Sequence, residues 1–271
     1  MTTRSPSTLA GETLADADDV LLVAPRPALV RAVVDRLRER YDGTAAVPDR
    51  VRLLCSPEVA EDAFRDFLVA ATAVEAIESG PLAVRTATVD ASLSVVDGTV
   101  QPRFRLPPDD DGVIGGSVHG AEADGAVSAA LAETYDRRWE RADERVPDVP
   151  AHETLVESFA DRWPEAAPEL DDAFDAARGT DRSPVTVCTL VAARNRILTM
   201  RLGEWAEEVD FSSRTEIARA KSRLVDAGVV DTEREPVGVG RPRHRLVLAD
   251  EAFAGLAPAT LVERLDETLE A

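Results

Sequence analysis

Short β-branched runs alternate with helical stripes over the first part of the chain. Residues 20–24 (Val-Leu-Leu-Val-Ala) and 51–55 (Val-Arg-Leu-Leu-Cys) predict strands. Between them Leu29, Val33 and Leu37 repeat at helical spacing, which predicts a helix over 27–40. Pro57 then opens a helix whose stripe Val59, Ala63, Phe67, Ala70 and Val74 runs to residue 78, where Gly80-Pro81 stops it. Residues 82–88, 92–97, 100–106 and 113–118 read as further strands around a loop at 107–112, and 122–145 as a helix with Val127, Leu131, Tyr135 and Trp139 inward. Alternating strands and helices followed by a run of strands predict an α/β N-terminal domain over 1–146. Its mixed sheet, with flanking helices, is parallel at the start and antiparallel at the edge.

Residues 147–182 carry short apolar stripes, Leu155, Phe159 and Trp163, then Leu170, Phe174 and Ala177. They predict a helical connector with a face to bury against either domain or a second chain. A C-terminal winged helix-turn-helix domain is expected over 183–250. Ser183-Pro184 opens its first helix, which places Leu190, Ala193, Ile197 and Met200 on one face, and a second helix over 202–209 turns Leu202, Trp205, Ala206 and Val209 inward. Residues 251–271 predict a last helix whose stripe Leu256, Leu261, Leu265 and Leu269 is available to a dimer interface.

Ser213-Arg-Thr-Glu216 has the capping-box pattern at the start of a third helix that ends at Gly228. Ile217, Ala220, Leu224 and Val225 form its core side, while Thr215, Ala218, Arg219, Ser222 and Arg223 face outward. Small, hydroxyl and guanidinium side chains together suit a helix in the major groove: small residues allow close approach and Arg grips guanine bidentately. Two extended runs, 229–235 and 243–248, joined by Pro236-Val-Gly-Val-Gly-Arg-Pro242, complete a wing. The candidate DNA contacts are therefore Ser212, Ser213, Arg214, Thr215, Ala218, Arg219, Lys221, Ser222 and Arg223 on the helix, with Arg241, Arg243 and Arg245 on the wing, Leu246 and Leu248 turning to the core.

Charge sharpens this reading. The chain of 271 residues has 51 Asp+Glu against 31 Lys+Arg, a formal charge of −20, and Lys221 is its one lysine. That excludes a protein that coats nucleic acid or anionic membrane all over. Residues 181–250, however, hold 12 basic and 11 acidic side chains, so the acidity lies elsewhere. Acid excess with arginine in place of lysine fits a GC-rich haloarchaeal cytoplasm, where repulsion is screened within roughly 3 Å at molar salt. Cys55 and Cys188 sit in apolar runs and read as buried core residues. The longest apolar stretches, 67–74 and 185–193, fall short of the roughly 18 residues a membrane span requires, and the start resembles no signal peptide. A cytoplasmic location is expected.

Several segments together resemble the haloarchaeal TbsP-like transcriptional regulators over most of the chain. They are Val51-Arg-Leu-Leu54, Asp66-Phe-Leu-Val-Ala70, 135–139, Leu190-Val-Ala-Ala-Arg-Asn195, Lys221-Ser-Arg-Leu224, Asp226-Ala-Gly228 and Val239-Gly-Arg-Pro-Arg243. The resemblance implies a DNA-binding regulator of metabolic genes acting alongside TrmB-type sugar-responsive regulators. Residues 97–120 diverge, so no ligand role is carried over to the N-terminal domain.

Enzyme chemistry finds no support. His119, His152 and His244 form no His-x-x-x-His pair and no zinc spacing with Cys, so no metal and no cofactor is expected; His244 reads as part of the wing and the other two as surface residues. Gly112-Val-Ile-Gly-Gly-Ser117 lacks the Gly-Lys-Ser/Thr ending of a P-loop and reads as a turn, and Asp109-Asp-Asp111 as a solvated loop. The N-terminal domain either takes a small effector at the strand ends, near Arg26 and Ser56-Pro57, or only dimerises. The expectation is a homodimeric, sequence-specific regulator that binds double-stranded DNA, the competing reading a protein-interaction adaptor whose winged helix docks on another regulator.

Overall fold

Val20, Leu21, Leu22 and Val23 are all fully buried, and the strand they form, β1 (Asp19–Val23), lies in the middle of a sheet covered on both faces. The structure, a computed structural model, describes residues 5–15, 17–41, 47–105, 117–119, 125–180, 182–235, 243–249 and 251–270. It divides into two compact units, Met1–Arg65 with Thr72–Asp148 and Asp66–Ala71 with Val149–Ala271.

In the first unit, α2 (Pro27–Tyr41) crosses from β1 to its parallel neighbour β2 (Arg50–Cys55). Two helices, α3 (Pro57–Ala63) and α4 (Phe67–Glu78), lead on to parallel β3 (Leu82–Thr86). Such crossovers are what parallel pairing demands. β4 (Leu93–Val96) returns antiparallel beside β1 and is joined to β5 (Thr99–Arg105) by Asp97-Gly98, both at positive φ (47° and 81°), the backbone a tight hairpin requires. Asp97 also accepts hydrogen bonds from the Asp18 and Asp19 amides, 3.1 and 2.9 Å, which ties the hairpin to β1. With β6 (Ser117–His119) beyond β5 and β7 (Asp143–Glu144) beyond β3, the order is β6-β5-β4-β1-β2-β3-β7. The expected mixed sheet, with a parallel start and antiparallel edge, is therefore present.

One face is covered by α5 (Gly125–Arg141), whose Tyr135 and Trp139 pack with Leu21, Val23, Leu54 and Val95. Arg52 and Arg85 share that face and stack on Trp139, 5.8 and 5.0 Å from the ring centre. Arg52 is desolvated but doubly paired, with Asp136 at 2.8 Å and Asp19 at 3.0 Å. A helix not anticipated from the sequence, α1 (Pro6–Leu14), packs on α2.

Three expectations for this part of the chain are corrected. The single helix over 57–78 is two, because the Asp66 carboxylate accepts from the Leu68 and Val69 amides and starts a new helix. Val127 is 53% exposed, and its neighbour Ser128 turns inward to accept the Val100 amide at 2.8 Å. β7, two exposed acidic residues, was not expected as a strand.

The second unit contains α6 (His152–Ala160), α7 (Ala167–Ala177), α8 (Pro184–Arg194), α9 (Thr199–Glu208), α10 (Arg214–Asp226), the hairpin β8 (Val230–Glu235) and β9 (Arg243–Leu248), and α11 (Pro258–Glu270). The stripes of 147–182 find their partner here: Leu155, Phe159, Leu170, Phe174 and Ala177 join one core with α8, α9 and α10. Leu261 and Leu265 of α11 are buried in the same core, so the stripe expected at a dimer interface is largely covered within the chain, the Leu269 side chain lying outside the described residues. α8 ends at Arg194, and Arg196 at φ 55° reverses the chain. Met200 consequently belongs to α9 and is 41% exposed instead of continuing the α8 stripe.

Asp66 also accepts the Gly179 amide at 3.3 Å. Asp66→Ala is expected to lower stability by about 1–2 kcal/mol, the usual cost of a lost cap, as measured by chemical denaturation. An unchanged midpoint would show the cap to be redundant.

Burial pushes the Cys55 thiol from 9.0 up to about 11 and raises Cys188 as well. Both are raised, so the stability they contribute is complete below the unfolded value near 9.0 and is lost as pH climbs through the folded one. Neither thiol should react with an aromatic disulfide reagent in the native protein at about pH 8. Rapid stoichiometric labelling before unfolding would contradict their burial.

Candidate nucleic-acid interface

The second unit's three central helices form a helix-turn-helix because the residues between α9 and α10 bend sharply. Asp210 sits at φ 53°, and the Phe211 and Ser212 amides both donate to the Ala206 carbonyl, 2.9 and 3.1 Å. Phe211 is pulled inward, 5.4 Å from the Trp205 ring and 5.4 Å from Phe67. Trp205 itself is fully buried and donates its indole N–H to Ser158 Oγ at 3.0 Å. Gly203 allows α9 to lie close to the start of α10: a Cβ there would be 3.1 Å from Arg214 Cγ. A further feature was missed by sequence reasoning. Leu198, between α8 and α9, bridges Arg245, and the Leu246 amide donates to Ile197 O at 3.0 Å, so the hairpin gains a third extended segment at its base.

Ser213 caps α10, accepting the Glu216 amide at 3.2 Å. The other half of the expected box differs, since the Glu216 carboxylate accepts from the Ser212 hydroxyl at 2.9 Å and not from a backbone N–H. Ile217, Ala220 and Leu224 are buried as expected, but Val225 is 39% exposed. At about 100° per residue it lies roughly 80° from Ile217, at the margin of the buried stripe.

Thr215, Ala218, Arg219, Ser222 and Arg223 are all exposed, on the outward side. Ser222 returns its hydroxyl to the Ala218 carbonyl at 3.0 Å, and Lys221 is half-buried on the flank. Arg214 is held away from this surface by Glu207, 2.7 Å from its Nε. On the wing, Arg245 is likewise engaged, with Glu235 at 2.8 Å and the Arg196 carbonyl at 3.0 Å, whereas Arg243 is exposed. Val247 as well as Leu246 is buried, and Leu248 is half-buried. Arg241 and the tip around Gly240-Arg-Pro242 lie outside the described residues, as do the loops at 107–112 and 109–111, most of 112–117 and the His119 side chain.

The distribution of ion pairs separates the arginines by role. In this unit Arg162, Arg178, Arg194, Arg196, Arg214, Arg245 and Arg264 each meet a carboxylate. Among the described residues Arg219, Lys221 and Arg223 of α10, and Arg234 and Arg243 of the wing, have no such partner. Arg201 on α9 is also unpaired, at the edge of an open cleft of about 1070 Å³. That cleft carries both signs of charge, including Glu204 and the paired Arg162 and Glu208, so it draws anions less than the α10 face does.

His152 is a correction: it is 1% exposed, and its Nε2 meets Asp171 Oδ1 at 2.7 Å. With Asp175 it forms the acidic and imidazole cluster that a metal would favour, ligand atoms within 4.8 Å of one another. Arg178 already stands against Asp175 at 2.6 Å, supplying the positive charge there. In the first unit, Arg26 is exposed and its carbonyl accepts the Leu29 and Val30 amides at the start of α2. The neighbouring Ser56 hydroxyl is spent capping α3, and Ser92 donates to the Ala24 carbonyl at 3.4 Å. No helix among the described residues is long and apolar enough to cross a membrane.

Comparison with known proteins agrees with this architecture. Residues 1–150 match the family described as transcriptional regulator TbsP-like, N-terminal, and 149–266 match transcriptional regulator TbsP-like, C-terminal HTH domain. No curated protein matches the chain. Among solved structures, TrmBL2, an archaeal chromatin protein described as showing a novel mode of DNA binding, is similar at 19% identity and a TM-score of 0.38. The alignment covers 54% of this chain and 53% of TrmBL2, so the chain spans about half of that protein's length. With both of its halves matched in order, this chain belongs to the TbsP-like transcriptional regulators.

Proposed function

We propose that this protein is a sequence-specific regulator of metabolic genes in a haloarchaeal cytoplasm, reading double-stranded DNA with the outward face of α10 and with its wing. The observation that carries this reading is the group of unpaired cations on α10 and the wing in a chain of net charge −20 whose other arginines in this unit are largely neutralised. Thr215, Ala218, Arg219, Ser222 and Arg223 are the proposed base-reading set, with Lys221 at their flank. Ser212, Ser213 and Arg214 set the height and angle at which the helix enters the groove, through the cap and the Glu207 pair.

A homodimer is proposed because two copies of α10 on spaced half-sites multiply specificity without new contacts per copy. The family resemblance supports metabolic genes as targets and a TrmB-type regulator as a partner in their control. The near absence of lysine and the acid excess support the halophilic setting, in which phosphate attraction alone is weak and base contacts carry more of the affinity.

Genomic fragments bound by the protein in about 2 M KCl, where simple charge attraction is screened, should share one motif. Arg219→Ala is expected to cost about 1–3 kcal/mol on that motif and less on random duplex. Absence of enrichment for the wild-type protein, with another regulator captured instead, would replace this reading by that of a protein adaptor.

A further inference from the structure

The wing's two faces differ in charge, and the pairing register says which is which. Val230, Thr232 and Arg234 of β8 stand opposite Leu248, Leu246 and His244 of β9. Val230 and Leu246 are buried in the core, so this is the face on which α8, α9 and α10 pack. Further toward the tip on the same face, beyond the reach of the core, Arg234 and His244 are both exposed. They are direct cross-strand partners, with side chains about 5 Å apart at their base. Neither has a hydrogen-bonding or ion-pair partner for its side chain among the described residues.

The reverse face carries Asp231, Glu233, Glu235, Arg243 and Arg245, with Val247 buried near its base. Two of its carboxylates are matched, Glu235 by Arg245 at 2.8 Å and Glu233 by Arg196 at 2.5 Å, while Asp231, on the same face, has no cationic partner among the described residues. A phosphate approaching that side meets three carboxylates, and its unpaired cation, Arg243, stands directly opposite Glu235 in register. On the helix side it meets a guanidinium with five N–H donors and an imidazole that keeps a ring N–H in either protonation state, with no carboxylate among the described residues of that face.

Resting on the DNA-reading proposal above, we propose that Arg234 and His244 form the wing's seat for a backbone phosphate, and that Arg245 is a structural brace. The contact is one of position, not of base identity, because a phosphate carries no sequence. Arg243, on the reverse face, contributes little to it.

The test uses the full chain, a duplex containing the recovered motif and a random duplex, each titrated over a KCl series. Arg234→Ala should weaken both duplexes alike by about tenfold and lower the slope of log affinity against log salt by about one. Arg234→Lys should keep that slope, His244→Ala should weaken both duplexes about threefold, and Arg243→Ala should stay within about twofold of wild type. Matching thermal midpoints for the variants would exclude misfolding as the cause. If the wild type binds its motif but Arg234→Ala keeps the wild-type slope, the phosphate seat is wrong and the DNA reading stands. If the wild type binds neither duplex, both fall together.

Discussion

Burial of Trp205 is the interaction on which the second unit depends. The indole packs against Phe159 at 5.0 Å, Phe211 at 5.4 Å and Trp163 at 6.3 Å, and its one polar atom is satisfied by Ser158. An aromatic side chain of this size removes roughly 200 Å² from water, about 5 kcal/mol at the usual transfer coefficient. That energy holds α9 against α6, and Phe211, pulled in beside it, fixes the bend from which Ser212 and Ser213 start α10. The aim of α10 is thus set by a hydrophobic cluster well behind it. The helices at 152–177 accordingly belong to the reading head's own core, since they supply Phe159, Trp163 and Phe174 to the same cluster.

Electrostatics does the complementary work. In an acidic chain an arginine finds a carboxylate easily, and Arg196, Arg214 and Arg245 near the reading surface do so. These pairs are partly exposed and each contributes little to stability. What they do is fix geometry: Arg214 is turned back onto α9, and Arg245 is clipped between Glu235 and the α8–α9 turn. Among the described residues of this unit the cations left without a carboxylate are Arg201 of α9 and the group on α10 and the wing. Selective neutralisation therefore concentrates unpaired positive charge of this unit on α10 and the wing, even though the chain as a whole is strongly acidic.

Much of this was legible in the sequence wherever one local rule determined the outcome. Alternating β-branched runs and helical stripes located β1 to β5, and Ser213 announced the α10 cap. The second helix of the reading head was found from Leu202, Trp205 and Ala206. Several misses trace to a polar side chain whose hydrogen bond periodicity does not register. Asp66 restarts a helix by accepting two amides, Ser128 displaces Val127 from the interior by accepting another, and Glu216 meets a hydroxyl where a backbone donor was expected. Leu198 was invisible because one bridging residue has no period at all, and β7 because its two residues are acidic. His152 looked like a surface residue until Asp171, far from it in sequence, supplied the partner that lets an imidazole be buried.

The wing shows how far a pattern reading reaches before register must be known. Arg243 and Arg245 do fall on one side of the returning strand, as period-two geometry requires, Arg241 lying outside the described residues, but period alone cannot say which side that is. Burial of Leu246 and Val230 labels one face as the helix side and so places Arg243 and Arg245 on the other, among Glu233 and Glu235. Along that outer face each basic group stands opposite an acidic one, an arrangement that stiffens a two-stranded ribbon through its cross-strand pairs. Stiffness matters for a wing, because a hairpin that must reach DNA from beyond the core loses affinity for every degree of freedom it has to freeze on contact. In the proposed reading the outer arginines and glutamates thus hold the ribbon's shape while the inner face makes the contact.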